Sequence, residues 1–163
     1  MTTEASNHFK AERDKGNIDL ANDSIKAILM ASGFVFNKDT HATFADVSSS
    51  ELAAGNGYAQ NTKTLGAATV TEDDANDRSD VTFANDPSYG KDVGWTASGG
   101  SIGPTPGCIL YDDTTADNTI ICYIDFGADQ TVTNGNNLFQ FAFKLTLCYN
   151  LAKEVSHGQT NYY

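Results

Sequence analysis

The stretch Cys108-Ile-Leu-Tyr-Asp-Asp-Thr-Thr-Ala-Asp-Asn-Thr-Ile-Ile-Cys-Tyr-Ile-Asp-Phe-Gly127 constrains the rest of the chain more than any other. Two apolar runs, rich in β-branched and aromatic residues, flank a loop of Asp, Asn, Thr and Ala. Asp and Asn side chains bond their own backbone and tolerate left-handed angles, so this loop is turn chemistry. The flanks are short and β-branched, which predicts a long antiparallel hairpin rather than two helices. On the second arm, strict alternation puts Ile120, Cys122, Ile124 and Phe126 on one face and Ile121 and Tyr123 on the other. A strand apolar on both faces is covered on both, so the hairpin is expected at the middle of its domain.

The flanking segments supply further strands. Ser24-Ile-Lys-Ala-Ile-Leu-Met-Ala-Ser32 permits a helix, but it is short and runs straight into Phe34-Val-Phe36, which favours a strand. Residues 37–41 read as a loop. Ser48-Ser-Ser-Glu51 has the form of a capping box and predicts a helical turn at residues 52–54. A strand is expected from Tyr58 towards Leu65. Residues 68–71 and 81–84 read as a hairpin around a solvated acidic loop at 72–80. Residues 85–92 are an irregular insertion, and Trp95 opens the next strand as a core anchor. Residues 99–107, with Pro104 and Pro106, read as a connector into the central hairpin. After Asn134-Gly-Asn136, a strong turn signal, residues 138–147 alternate cleanly and predict one strand with Phe139, Phe141 and Phe143 in the core. Short strands at this spacing indicate an all-β fold: an antiparallel β-sandwich, jelly-roll-like, with extended N- and C-terminal arms. The expected division is an arm at 1–18, the β domain at 19–149 and a polar tail at 150–163. Nothing in the first stretch looks able to anchor a core, which leaves a frayed terminus or an arm ordered by a partner.

Composition narrows the function classes. The chain carries 21 acidic against 10 basic residues, a net charge of −11, and its field repels nucleic acid. The predominance of Asp over Glu favours turns over helices and supports the β assignment. The N-terminus lacks the apolar core of a signal peptide, and no apolar run approaches the ~20 residues needed to span a bilayer. Synthesis and folding in a host cytoplasm are therefore expected, with no membrane partner. The three cysteines, Cys108, Cys122 and Cys148, lie in apolar strand-like settings. Buried free thiols are the default, although a cross-strand bridge between Cys108 and Cys122 is conceivable on the hairpin. None has the paired spacing of a zinc site.

No catalytic constellation emerges. Gly99-Gly-Ser-Ile-Gly103 matches the pattern of a nucleophile elbow, but that device needs a helix after the serine, and Pro104 and Pro106 oppose one. His8, His41 and His157 lie in terminal or loop segments without helical pairing. Asp112 and Asp113 read as adjacent turn residues. The acidic loop offers Asp73, Asp74 and Asp77 as weak calcium candidates, without the alternating oxygens and central glycine of a calcium loop. The expectation is a protein without cofactor or enzymatic activity.

Five phrases point further. Asp19-Leu-Ala-Asn-Asp-Ser-Ile-Lys-Ala-Ile-Leu-Met30, Asp39-Thr-His-Ala-Thr-Phe-Ala-Asp-Val47, Glu51-Leu-Ala-Ala-Gly-Asn-Gly-Tyr58, Trp95-Thr-Ala-Ser-Gly-Gly-Ser-Ile-Gly-Pro104 and Ile124-Asp-Phe-Gly127 follow one another over roughly residues 17–147. In this order they resemble a group of small β-rich proteins encoded among the structural genes of tailed bacteriophages. The insertion at 85–92 and the tail after Leu147 depart from that pattern. The resemblance implies a non-enzymatic virion component, either a capsid decoration (cement) protein bound in many copies to the head or a tail or neck component. An acidic β-sandwich with flexible arms favours decoration, and a carbohydrate-binding module is the remaining alternative. The implied partners are the major capsid protein or other virion proteins, and further copies of this chain on the particle. Lys10, Arg13 and Lys15 gather three of the ten basic residues near one end, and Tyr162 and Tyr163 close the other. Both ends are therefore candidate partner-binding segments.

Overall fold

The computed structural model describes residues 2–85, 93–134, 139–141 and 145–148, the last two segments as backbone only. It is mostly β, 44 % strand against 12 % helix, with antiparallel sheets throughout. The strands are β1 (Thr2–Ala5), β2 (Ile25–Leu29), β3 (Lys63–Thr64), β4 (Ala68–Asp73), β5 (Arg78–Phe83), β6 (Val93–Trp95), β7 (Ile102–Asp112), β8 (Ile120–Val132), β9 (Phe139–Phe141) and β10 (Leu145–Cys148). Two short helices, α1 (Asn7–Asp14) and α2 (Phe44–Val47), precede and follow β2. The main sheet has the order β1-β8-β7-β2-β3, and β10-β5-β4 and β6-β9 form two smaller sheets.

The expected hairpin is β7–β8, and both strands are interior to the main sheet. Its two-sided apolar character divides the core in two. Leu110, Cys108, Cys122 and Ile124 join Ile25, Ala27 and Leu29 of β2, Val81 and Phe83 of β5, and Val93 and Trp95 of β6 in one cluster. Ile109, Tyr111, Ile120 and Tyr123 join Ile28, Met30 and Val47 in the other. Cys108 and Cys122 are both buried and free. The register pairs them with Ile124 and Leu110, a diagonal placement on one face rather than an opposed pair.

Strict alternation fails at one residue. Tyr111 pairs with Ile120 and Leu110 with Cys122, so Ile121 is an extra residue on β8. This bulge reverses the phase: Ile120 shares a cluster with Tyr123, while Ile121 joins Cys122 and Ile124. The N-terminal segment closes over it. Ser6 N donates to Ile121 O (3.1 Å) and Ser6 Oγ to Ile120 O (2.6 Å). The same Oγ accepts from Phe9 N (2.9 Å) and so caps α1. Residues 2–14 are thus not the expected free arm. β1 pairs with β8 and Phe9 is fully buried, because one aromatic ring on a short helix is enough to anchor it.

Other expectations change for physical reasons. The second half of the supposed connector, with Pro104 and Pro106, is the start of β7, and register shifts between Ile102 and Gly107 accommodate the prolines. The acidic loop shrinks to residues 74–77, because strand pairing continues to Asp73↔Arg78. Helical structure falls earlier than residues 52–54, at α2 and in a 3-10 turn over Ser48–Ser50. At the start of α2, Asp46 Oδ2 accepts from the backbone N–H groups of Ala42 (3.0 Å) and Thr43 (2.8 Å). Glu51 instead turns inward, its Oε1 accepting from Tyr58 OH (2.7 Å) and Asn61 N (2.7 Å). Burial pushes its carboxyl up, against those two bonds. The segment predicted as one strand from Leu138 divides: Phe139–Phe141 pairs with β6, and Leu145–Cys148 with β5. Their core assignment lies outside the described side chains, as does Phe143.

Asp112 is the main polar surprise. It ends β7 fully buried rather than lying in a turn, with Oδ1 accepting from Thr114 N (2.8 Å) and Oδ2 without a hydrogen-bond donor. Burial and the facing carboxylate of Asp23 push its carboxyl up to about 6, despite the bond from Thr114. Asp113 beside it pairs with Lys26 (2.9 Å). Between the ordinary value of 3.8 and about 6, the folded protein keeps a proton that the unfolded chain has lost. Stability therefore falls as pH rises through that window and stays low above it. Asp112→Asn keeps the acceptor and places a donor towards Asp23. It is expected to raise stability at about pH 7.5 by roughly 1–3 kcal/mol and to flatten the pH dependence, as read by denaturant unfolding at several pH values. Ser6→Ala uncaps α1 and leaves a buried carbonyl at the bulge, which is expected to cost roughly 1–3 kcal/mol in the same measurement.

Candidate functional site

A loop built on one aromatic cluster forms the most distinctive surface. Gly33, at φ +85°, turns the chain after β2 in a conformation that side-chain-bearing residues rarely adopt. Phe34 then stacks on His41 (centroids 5.4 Å apart, 22°), and Phe36 stacks on Tyr123 of β8 (5.5 Å, 25°). The Phe34 ring meets Tyr123 edge-on (5.6 Å), and His41 Nδ1 accepts from Asn37 N (3.1 Å). With its neighbours turned in, Val35 is turned out and is 80 % exposed. The loop is fastened to the N-terminal segment by Asn7 N to Lys38 O (3.0 Å) and by Lys38 Nζ near Glu4 Oε1 (3.5 Å).

The cleft beside this cluster follows from strand register. Glu4 lies opposite Tyr123 and Thr2 opposite Asp125, so alternation places these four side chains on one face. With Phe34, Val35, Phe36 and Pro106 they line a cleft of about 250 Å³. Its floor depends on Gly107 of β7. A Cβ there would lie 2.4 Å from Ile124 O and 2.5 Å from Tyr123 Cζ and OH, so the Tyr123 ring rests in space that only glycine leaves. Burial, then the carboxylates of Asp125 and Asp129 together with Cys108, push the Tyr123 phenol up to about 12. The cleft thus combines aromatic surface with two carboxylates, Glu4 and Asp125. Asp125 Oδ1 accepts from Gly127 N (2.7 Å), and Asp125 forms no ion pair among the described residues.

The residues expected at the partner-binding ends are placed differently. Lys10 Nζ donates to Asn7 Oδ1 (3.2 Å), Arg13 pairs with Asp14 (3.0 Å) and lies over the Phe9 ring, and Lys15 pairs with Glu12 (2.7 Å). Arg13 and Lys15 are thus paired with carboxylates of α1 itself. Tyr162 and Tyr163 lie outside the described residues, as does His157. Among the weak calcium candidates, Asp73 accepts from Asn76 (2.9 Å) and Arg78 (2.8 Å), while Asp74 and Asp77 lie in the β4–β5 turn, Asp77 at φ +51°. Among the described residues no three His, Cys, Asp or Glu side chains converge on a metal position, and no helix is long and apolar enough to cross a membrane. Ser101 is followed by β7 rather than a helix, and its carbonyl accepts from Asn56 Nδ2 (2.8 Å). His8 pairs with Asp117 (2.8 Å).

Sequence reasoning does not reach the aromatic loop as a site. The available signal was Phe34-Val-Phe36 between Gly33 and Asn37: an apolar triplet too short for a core strand, bounded by turn residues. Searches against protein-family profiles, curated proteins and solved structures gave no significant match. Gly107→Ala is expected to displace Tyr123 and cost roughly 1–3 kcal/mol, because the Ile124 carbonyl in its path is backbone. Chemical denaturation, with near-ultraviolet circular dichroism to follow the aromatic cluster, measures both effects.

Proposed function

We propose that this chain is a bacteriophage virion structural protein, a capsid decoration protein that docks on the assembled head lattice without performing catalysis. The ordered phrases between about residues 17 and 147, which resemble small phage structural proteins, support the virion assignment. We read the architecture as a jelly-roll-like β-sandwich; the core cluster common to β2, β7 and β8, to β5 and to β6 supports that reading. The docking surface proposed is the aromatic loop and its cleft.

The observation that carries this reading is Val35, an apolar residue 80 % exposed on a loop whose neighbours are locked by ring stacking. A held, outward apolar side chain beside aromatic rings has the make-up of an interface centre. It also loses little entropy on docking, because the loop is ordered beforehand. Repetition over a lattice turns such a modest contact into stable occupancy. α1 is packed by Phe9, so residues 2–14 are better suited to supporting this face than to reaching across the capsid.

Val35→Lys tests the assignment cleanly, since an exposed substitution of this kind changes folding stability by only about 0.5 kcal/mol. Unchanged circular dichroism and melting with at least about tenfold lower occupancy on purified phage particles is expected. Full occupancy by the variant would remove the loop as the docking surface. Imaging labelled particles decides location: many copies over the head support decoration, whereas a few copies at one vertex would make the protein a tail or neck component.

A further inference from the structure

We infer that the cleft between β1, the 34–36 loop and β8 receives one arginine side chain of the partner, with its guanidinium between Asp125 and Glu4 and its aliphatic stem along Phe36 and Tyr123. This deepens the docking reading above and rests on it for the identity of the partner, though not for the site itself.

The cleft's chemistry selects the occupant. Its two carboxylates stand on the same face as Tyr123, one opposite that ring and one two residues further along β8. Glu4 has Lys38 at 3.5 Å, an exposed and adjustable contact, whereas among the described residues Asp125 accepts from the N–H of Gly127 and forms no ion pair. An anionic ligand would meet both charges and the field of a chain at −11. A neutral apolar side chain would strip water from the carboxylates and return no partner to them. A sugar ring needs an open aromatic face, but Phe36 and Tyr123 are stacked on each other, as are Phe34 and His41. A cation with an apolar stem satisfies every wall of the cleft. Arginine fits better than lysine because its planar fork can bond a carboxylate in two places and lie along ring edges.

The test is a titration of the 15N-labelled full chain with N-acetyl-arginine amide, followed by amide shifts. N-acetyl-citrulline amide, the neutral isostere, and glucose serve as controls. Saturable shifts confined to residues 2–4, 34–36 and 123–125 are expected, with a dissociation constant on the order of millimolar, as befits a single side chain. Asp125→Asn, which keeps the acceptor for Gly127, is expected to weaken arginine binding at least about fivefold. Equal shifts from citrulline, shifts from glucose alone, or none from arginine would overturn the inference. Particle occupancy separates this from the docking reading. Loss of occupancy by Val35→Lys but not by Asp125→Asn leaves the docking surface standing and refutes the arginine. Arginine binding by a protein absent from the head keeps the cation site and refutes the decoration role.

Discussion

The inner part of the β7–β8 ladder, Gly107 to Tyr111 against Ile120 to Ile124, is buried on both faces, and the rest of the structure is arranged around that fact. A strand pair apolar on both sides stays in water only if both sides are covered. The covers here are of different kinds. One side takes Phe9 of α1 with residues of β5 and β6, and the other takes Val47 at the end of α2, with Phe34, Phe36 and Phe44 packed around its margin. The second cover is therefore largely irregular chain. It is the side on which loops can present residues outward while the ladder holds them in place.

The bulge at Ile121 links the two sides. One extra residue shifts the side-chain phase of β8, and the carbonyls around it are met by Ser6, which also begins α1. The position of the N-terminal segment is thus coupled to the register of the central hairpin. β1 then carries Glu4 to a place opposite Tyr123, which makes the cleft acidic. Glu51, Tyr58 and Asn61 do similar work for the loop after α2, where Tyr58 OH also accepts from Leu29 N (3.0 Å). Each such bond satisfies a polar group that burial would otherwise leave unpaired. Asp112 is the exception, and two facing carboxylates there make the hairpin tip sensitive to protonation.

Docking through a pre-ordered loop and cleft differs from docking through free arms. An arm loses chain entropy when it binds, whereas the loop at 34–36 has its rings stacked already. On the proposed docking, the interface can be small and still specific, with Val35 supplying apolar contact and the carboxylates a charge requirement. Such an arrangement suits a lattice partner that offers many identical sites.

Local chemistry determined much of this architecture. The β-branched arms of the 108–127 hairpin, the Asp- and Asn-rich turn between them and the apolar β2 run are strong period and turn signals, and each appears as a strand or turn in the structure. The acidic balance and the predominance of β structure were likewise legible in residue types alone. Tertiary contact decided the remainder. No propensity marks Ile121 as the extra residue, because only cross-strand pairing defines a bulge. Phe9 reads as a lone aromatic in a polar segment until a hydrophobic face is present to receive it. Pro104 and Pro106 oppose a strand locally, yet register shifts let β7 include them. The cleft joins Thr2 and Glu4, residues 34–36, Pro106, and Tyr123 and Asp125, four places far apart in the chain. A sequence can specify such a site completely and still not display it, because its chemistry exists only where strand register brings the pieces together.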